Sequence, residues 1–169
     1  QEFEVTPDIM TMAKATTNGV VPMGAVACKE EIYDTIVNNA PKGAIELFHG
    51  YTYSAIPVAV AAGLAVQDII EKEDIFNRVK DLVPYYQEAI FSLKDLDVVD
   101  NIRGYGLMAG IDMKMDQKPG KAGITCYKNC YEVGVNFKAT GDCLIIAPMF
   151  VSEKKHIDEI IDKLRTGIL

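Results

Sequence analysis

Histidine is scarce in this chain: His49 and His156 are the two in 169 residues. No acid or nucleophile lies close enough in sequence to either to start a Ser/His/Asp-type triad. His49 precedes a glycine in a loop-like stretch, and His156 falls on the polar side of a helical pattern, where it reads as solvated. Positive charge is short as well. Seventeen Lys and Arg against 24 Asp and Glu leave a net charge of −7, which argues against nucleic acid and against an anionic membrane surface as partners. Long apolar runs are missing. The longest, 55–66, is interrupted by Pro57 and Gly63 and is too short to span a bilayer. There is no internal repeat, no low-complexity tract, and no charged-then-apolar leader, so secretion is not indicated. The four cysteines (Cys28, Cys126, Cys130, Cys143) lack the spacing of a disulfide framework, and free thiols suit a reducing cytosol. Cys126 and Cys130 sit one helical turn apart, but with no histidine nearby they read as buried small hydrophobes and no metal site is expected.

What is present is an ordinary globular composition, 49% apolar and 24% charged, enough for one compact domain or two small lobes. The chain opens on Gln1, and Phe3–Val5 has a mid-chain texture, so further residues are expected upstream.

Periodicity sets out the elements. Ile9–Ala13 and Val20–Cys28 read as strands, the first of them buried. Glu30–Asn39 reads as a helix with Ile32, Tyr33 and Ile36 on one side, and 40–53 as a loop. A helix is predicted from Pro57 to about Lys72, with Val58, Ala61, Ala62, Ala65 and Ile69 as its stripe and small residues implying close packing. Asp74 can cap a second helix, reaching about Leu93, with Ile75, Val79, Leu82, Tyr86 and Ile90 on its face. Beyond Leu96 the texture changes. Strands are expected at Val98–Ile102, Leu107–Met113, Val135–Lys138 and Leu144–Ala147, with turns at 118–123 and 140–142. A short helix over 125–133 should end on Gly134 as its C′ glycine, and Ser152 should cap a final helix with stripe Ile157, Ile160, Ile161 and Leu164. The lobe boundary is placed near 95–98: 1–96 as strands followed by long helices, 97–169 as a small α+β unit.

Lys14 ends the first apolar run and meets a flexible polar turn in "IMTMAKATTNG". A lysine there is either a solvated strand end or an amine poised to condense with an aldehyde cofactor and then to shuttle a proton. Thr52 and Ser54 precede the helix at Pro57. They are either a loop hydroxyl and an N-cap, or donors beside a helix N-terminus that seats a phosphate. Lys138 ends a short strand and could hold an anionic substrate group as a point charge, or be a plain hairpin-end lysine. Arg103, before Gly104, is a carboxylate partner or one half of a salt bridge between lobes.

These signals occur together and in one order. "PDIMTMAK", "NGVVPMGAVACKEEIYD", "FHGYTYSAIPVAVAAGLA", "IRGYGLMAGID" and "KATGD" followed by "IAP" closely resemble successive blocks of the class III (ω-amino acid:pyruvate type) aminotransferases, pyridoxal 5'-phosphate enzymes of fold type I. The resemblance runs through essentially the whole chain. It implies an α/β fold, with 1–96 as the C-terminal part of the large cofactor-binding domain and 97–169 as the small C-terminal domain. It implies that Lys14 forms the Schiff base with the cofactor and moves the substrate proton. Thr52, with Tyr51 beside it, is implied to bind the cofactor phosphate of a neighbouring subunit, so a cytoplasmic homodimer with its active site at the interface is expected. Lys138 aligns with a family arginine, in an R-x-x-G-D motif, that grips the substrate carboxylate. In ornithine-type members the carboxylate arginine lies a few residues on, and that position is Ile145 here.

Departures from the family pattern are specific. Ala15 and Thr16 replace Gly-Leu after the lysine, Ala55 and Ile56 replace Gly-His before Pro57, and Lys138 replaces arginine. The glycine/serine phosphate loop, the ring-stacking aromatic and the ring-pairing aspartate of the family would lie upstream. The implied activity is amino-group transfer from an ω-amino acid or amine to a keto acid such as pyruvate. The alternatives are a non-catalytic fragment that folds and self-associates, or another class III reaction such as decarboxylation or epimerisation.

Overall fold

A computed structural model of the chain describes residues 3–115 and 118–168. Contacts divide it into two compact units, Gln1–Lys72 and Glu73–Leu169.

The first unit has two strands, β1 (Ile9–Ala13) and β2 (Gly24–Cys28), and two helices, α1 (Glu30–Asn38) and α2 (Pro57–Lys72). The strands pair antiparallel, Ile9 opposite Cys28 and Ala13 opposite Gly24. At their open end the Lys29 N–H donates to the Asp8 carbonyl (2.9 Å) and the two side chains form an ion pair. β2 starts later than the expected Val20, because Pro22 lacks the N–H that a ladder needs. The sequence reading of β1 as a buried strand is corrected: all five residues are exposed. Apolar side chains on both faces are the mark of a strand sandwiched in a layered α/β sheet. Among the described residues of this unit only Thr17 and Ala59 are buried, and Phe48 is 94% exposed.

The inward stripe of α2 is also corrected. Ala59 is buried and Ala62, Gly63, Val66 and Ile70 are half-buried, whereas Val58, Leu64 and Ile69 are exposed. Gly63 explains the rotation. A Cβ there would come 3.4 Å from the Thr16 carbonyl oxygen and 3.6 Å from Met23 Sδ, so the small-residue face of α2 is the one laid against the β1–β2 loop.

The second unit runs α3 (Ile75–Phe91), a 3-10 turn (Ser92–Asp95), β3 (Val99–Tyr105), β4 (Met108–Met113), α4 (Lys121–Glu132), β5 (Lys138–Thr140), β6 (Cys143–Ile146) and α5 (Lys154–Ile168). The sheet has order β3-β4-β6-β5 and is antiparallel throughout. Alternation splits it into two faces. The row Ile102, Ile111, Leu144, Ala139 joins Leu82, Tyr86 and Ile90 of α3, Cys126 and Cys130 of α4, and Ile157, Ile161 and Leu164 of α5 in one core. The next row, Arg103, Gly110, Ile145, Lys138, lies on the opposite face. This core moves the unit boundary from 95–98 to 72/73, since the apolar face of α3 is buried with the sheet rather than with the elements before it.

Helix ends differ from expectation in chemistry more than in place. Gly134 (φ +88°) closes α4 as a Schellman motif, with Gly134 N–H donating to the Tyr131 carbonyl and Val135 N–H to the Cys130 carbonyl. Asp74 precedes α3 but caps no backbone group, and Asn77 Nδ2 donates to its carboxylate at 2.9 Å. α5 begins after Glu153, not at Ser152, and His156 Nδ1 accepts from the Glu153 N–H at 3.0 Å, so that exposed ring does a cap's work. α4 starts at Lys121, earlier than the expected 125, and β5 begins at Lys138 instead of ending there.

Tyr86, fully buried, donates its hydroxyl to the Ile146 carbonyl at 2.9 Å. Burial pushes its pKa up, and it also pushes the Cys130 thiol up from 9.0 to about 11, with Cys126 adding to the shift. Between these two values the unfolded chain loses the Cys130 proton and the folded chain keeps it. Folding stability should therefore fall as pH rises through that window in urea titrations, and C130A should flatten the decline.

Candidate active site

A concavity of about 830 Å³ in the first unit is lined among others by Lys14, Thr17, Tyr51, Tyr53, Ser54 and Ala59. That size lies within the range of small-molecule sites. β1 delivers Lys14 to its wall, and the backbone turns sharply there. Lys14 has φ +56°, a left-handed conformation that a residue with a Cβ adopts at a cost. What holds it is the loop that follows. Thr17 and Gly19 N–H groups both donate to the Lys14 carbonyl, at 3.3 and 3.2 Å. Thr17, 1% exposed, donates its hydroxyl to the Val21 carbonyl at 2.5 Å, and the Thr16 hydroxyl reaches the Met23 carbonyl at 3.4 Å. Ala15 and Thr16, which depart from the family's Gly-Leu, are thus accommodated in a 3-10 turn.

The turn 51–54 contributes Tyr51, Tyr53 and Ser54 to the same lining and is closed by Ser54 N–H donating to the Tyr51 carbonyl at 3.0 Å. Tyr51 packs edge-on against His49, with ring centroids 4.2 Å apart. Ala55, another non-glycine at positive φ (+55°), bends the chain into α2, where the Ala59 and Val60 N–H groups donate to the Ile56 carbonyl. Ser54 is therefore not the N-cap of α2. Thr52 lies in the turn but not in the concavity's lining, while Tyr51 does line it. Tyr53 and the strained Ala55 were not read as site residues. The family departure at Ala55 was the available signal, since a lost glycine marks a position that needs positive φ.

Lys138 lies in the second unit, exposed, at the start of β5 and opposite Ile145. It borders a second concavity of about 560 Å³ with Phe137, His156 and Lys163. Arg103 is an ion pair within the sheet and not between lobes. It binds Asp112 on the next strand and donates to Cys143 Sγ at 3.4 Å. Partial burial works to raise the Asp112 pKa, but the bonds from Arg103 and Cys143 outweigh it and hold the carboxyl below its usual value. Cys28 is exposed, Cys143 half-buried, and Cys126 and Cys130 buried, all four as free thiols. Among the described residues no helix is long and apolar enough to cross a membrane.

A family model described as "Aminotransferase class-III" matches residues 1–168, and the chain belongs to that family. It is 41% identical over 168 residues to a protein of Caulobacter vibrioides named omega-aminotransferase, covering 98% of this chain and 38% of that protein. It is 39% identical over 166 residues to the omega-amino acid–pyruvate aminotransferase of Pseudomonas putida, covering 95% and 36%. A solved structure described as a transaminase with L-ala superposes with a TM-score of 0.93 at 30% identity, over 99% of this chain and 41% of that one. The fold is thus α/β, a part of the fold type I transferase, and the chain spans about two fifths of the length of the relatives it matches.

Proposed function

We propose that this chain is part of a pyridoxal-phosphate-dependent aminotransferase that moves an amino group from an ω-amino acid or amine to a keto acid such as pyruvate. One observation carries the reading: Lys14 is held in a left-handed turn at the end of β1 and lines a concavity to which the 51–54 turn and the start of α2 also contribute. The donors suit a cofactor shared across a subunit interface: Lys14 supplies a primary amine to the cofactor of its own subunit, and the hydroxyls of the 51–54 turn, beside a helix N-terminus that favours an anion, suit the phosphate of the neighbouring subunit's cofactor. Bound there, pyridoxal phosphate supplies an aldehyde for an amine to condense with and a ring that withdraws electrons. Lys14 Nζ takes the substrate Cα proton and returns it, because it alone among the lining residues combines a basic nitrogen with a flexible tether. Tyr51 and Thr52 orient the cofactor phosphate, in the reading that a neighbouring subunit supplies it. Such a shared site makes the protein a homodimer in this reading.

In this reading the first unit is the end of the cofactor-binding domain and the second the small domain. Relatives named for beta-alanine–pyruvate and omega-amino acid–pyruvate transfer support the substrate class. Four free thiols fit a reducing cytosol.

The direct test is to add pyridoxal phosphate to the full-length protein, reduce with borohydride and map the adduct by mass spectrometry. A label on Lys14, with amine-dependent pyruvate consumption, is expected. Absence of any label overturns the proposal, and product without pyruvate consumption reassigns the chain to another class III reaction.

Lys138 takes the substrate carboxylate as a point charge. K138M should raise KM for pyruvate about tenfold, the scale of one charge-assisted contact, and K138R should restore or improve it. Unchanged KM in K138M removes Lys138 from the site.

A further inference from the structure

The β5–β6 hairpin that carries Lys138 is a weak element by itself. β5 has three residues, lies at the sheet edge and pairs only with β6. Its turn is Gly141-Asp142, and the aspartate is tied to another element. Asp142 Oδ2 accepts the Gly120 N–H at 2.7 Å and Oδ1 accepts the Gly123 N–H at 3.0 Å. Gly120 is the N-cap of α4 and Gly123 its third helical residue. Those are the two amides a capping box satisfies with two side chains of its own helix, and here one carboxylate from a distant turn takes both. A negative charge at that end also complements the helix dipole.

The docking is close. A Cβ at Gly123 would stand 2.0 Å from the Gly141 carbonyl oxygen and 3.0 Å from Asp142 Cα, so only glycine lets α4 meet the turn. The Asp142 carbonyl in turn accepts the Met113 N–H at 2.8 Å, joining the turn to the end of β4. The hairpin is therefore fixed at its tip to a helix and to a strand.

We propose that Asp142 is a positioning residue for the substrate-anion contact: by capping α4 in trans it fixes the β5–β6 turn, and with it the backbone from which Lys138 reaches. This rests on the reading of Lys138 given above. It also assigns work to the Gly-Asp of "KATGD", which that reading left unused.

The test compares D142A, D142N and K138M in the holoenzyme, with amide hydrogen exchange and steady-state kinetics on pyruvate. In D142A, exchange over 138–141 should rise about tenfold, the scale of a lost cap, while α5 exchanges as before. KM for pyruvate should rise by a similar factor, about tenfold, with a smaller change in kcat. D142N keeps one acceptor oxygen and should fall between D142A and the parent, and it serves if D142A does not fold. Unchanged exchange over 138–141 overturns the proposal. Faster exchange with KM unmoved, while K138M does raise KM, also overturns it, because the clamp is then structural only. If K138M leaves KM unmoved, the reading of Lys138 fails and the positioning role falls with it, whatever the exchange data show.

Discussion

Under the proposed function, replacing Lys14 is expected to abolish both the borohydride-trapped adduct and transamination, with a rate loss of at least about 10⁴-fold in K14A, since that reading gives one residue the work of nucleophile and proton carrier together. The backbone allows a sharper version. Lys14 sits at φ +56°, where a Cβ costs on the order of 1 kcal/mol. K14G should therefore be as inactive as K14A but more stable than the parent, because glycine enters that region freely. K14A retains the Cβ and should show no such gain. A thermal melt beside the activity assay separates the two. Equal stability of K14G and K14A would mean the turn is not strained, and residual activity in either would remove Lys14 from the chemistry.

G167A should be among the most destabilising single-methyl additions in the second unit. In an exposed helix the change from glycine to alanine gains up to about 1 kcal/mol. Gly167 is buried on α5 against α4, and a Cβ would lie 2.6 Å from Cys130 Sγ, 2.8 Å from Cys130 Cα and 2.9 Å from its nitrogen. Backbone cannot rotate away as a side chain can, so the helices must part. The expected net loss is about 1–3 kcal/mol by urea denaturation. The double variant G167A/C130A tests the cause. It removes the sulfur contact and leaves both backbone contacts, so only part of the loss should return. Full recovery would mean that the thiol alone set the spacing.

Element type was legible wherever one side chain period repeated long enough. α2 was bounded correctly by Pro57 and Lys72, and the face of α3 was read residue by residue from Ile75 to Ile90. Gly134 was legible as a C′ glycine because a Schellman end demands positive φ. The faces were less legible. The stripe of α2 was misassigned because alanine and valine recur on several sides of that helix, and only the contact of Gly63 with the β1–β2 loop selects one. Caps failed for a related reason. Asp74 and Ser152 are good cap types, but a cap depends on where the side chain finds its amide, and His156 and the remote Asp142 took that work at α5 and α4.

By itself the sequence determined the family, the order of the elements and the identity of the candidate lysine, because blocks of residue types in a fixed order survive without coordinates. Only the tertiary structure decided that α3 belongs with the second unit, that Lys14 and the 51–54 turn share one concavity, and that a carboxylate 19 residues from Gly123 holds the Lys138 hairpin. Those are matters of which surfaces meet across long stretches of chain. Local propensity carries no record of them, since the energy that settles them comes from packing and from hydrogen bonds between residues that are distant in sequence.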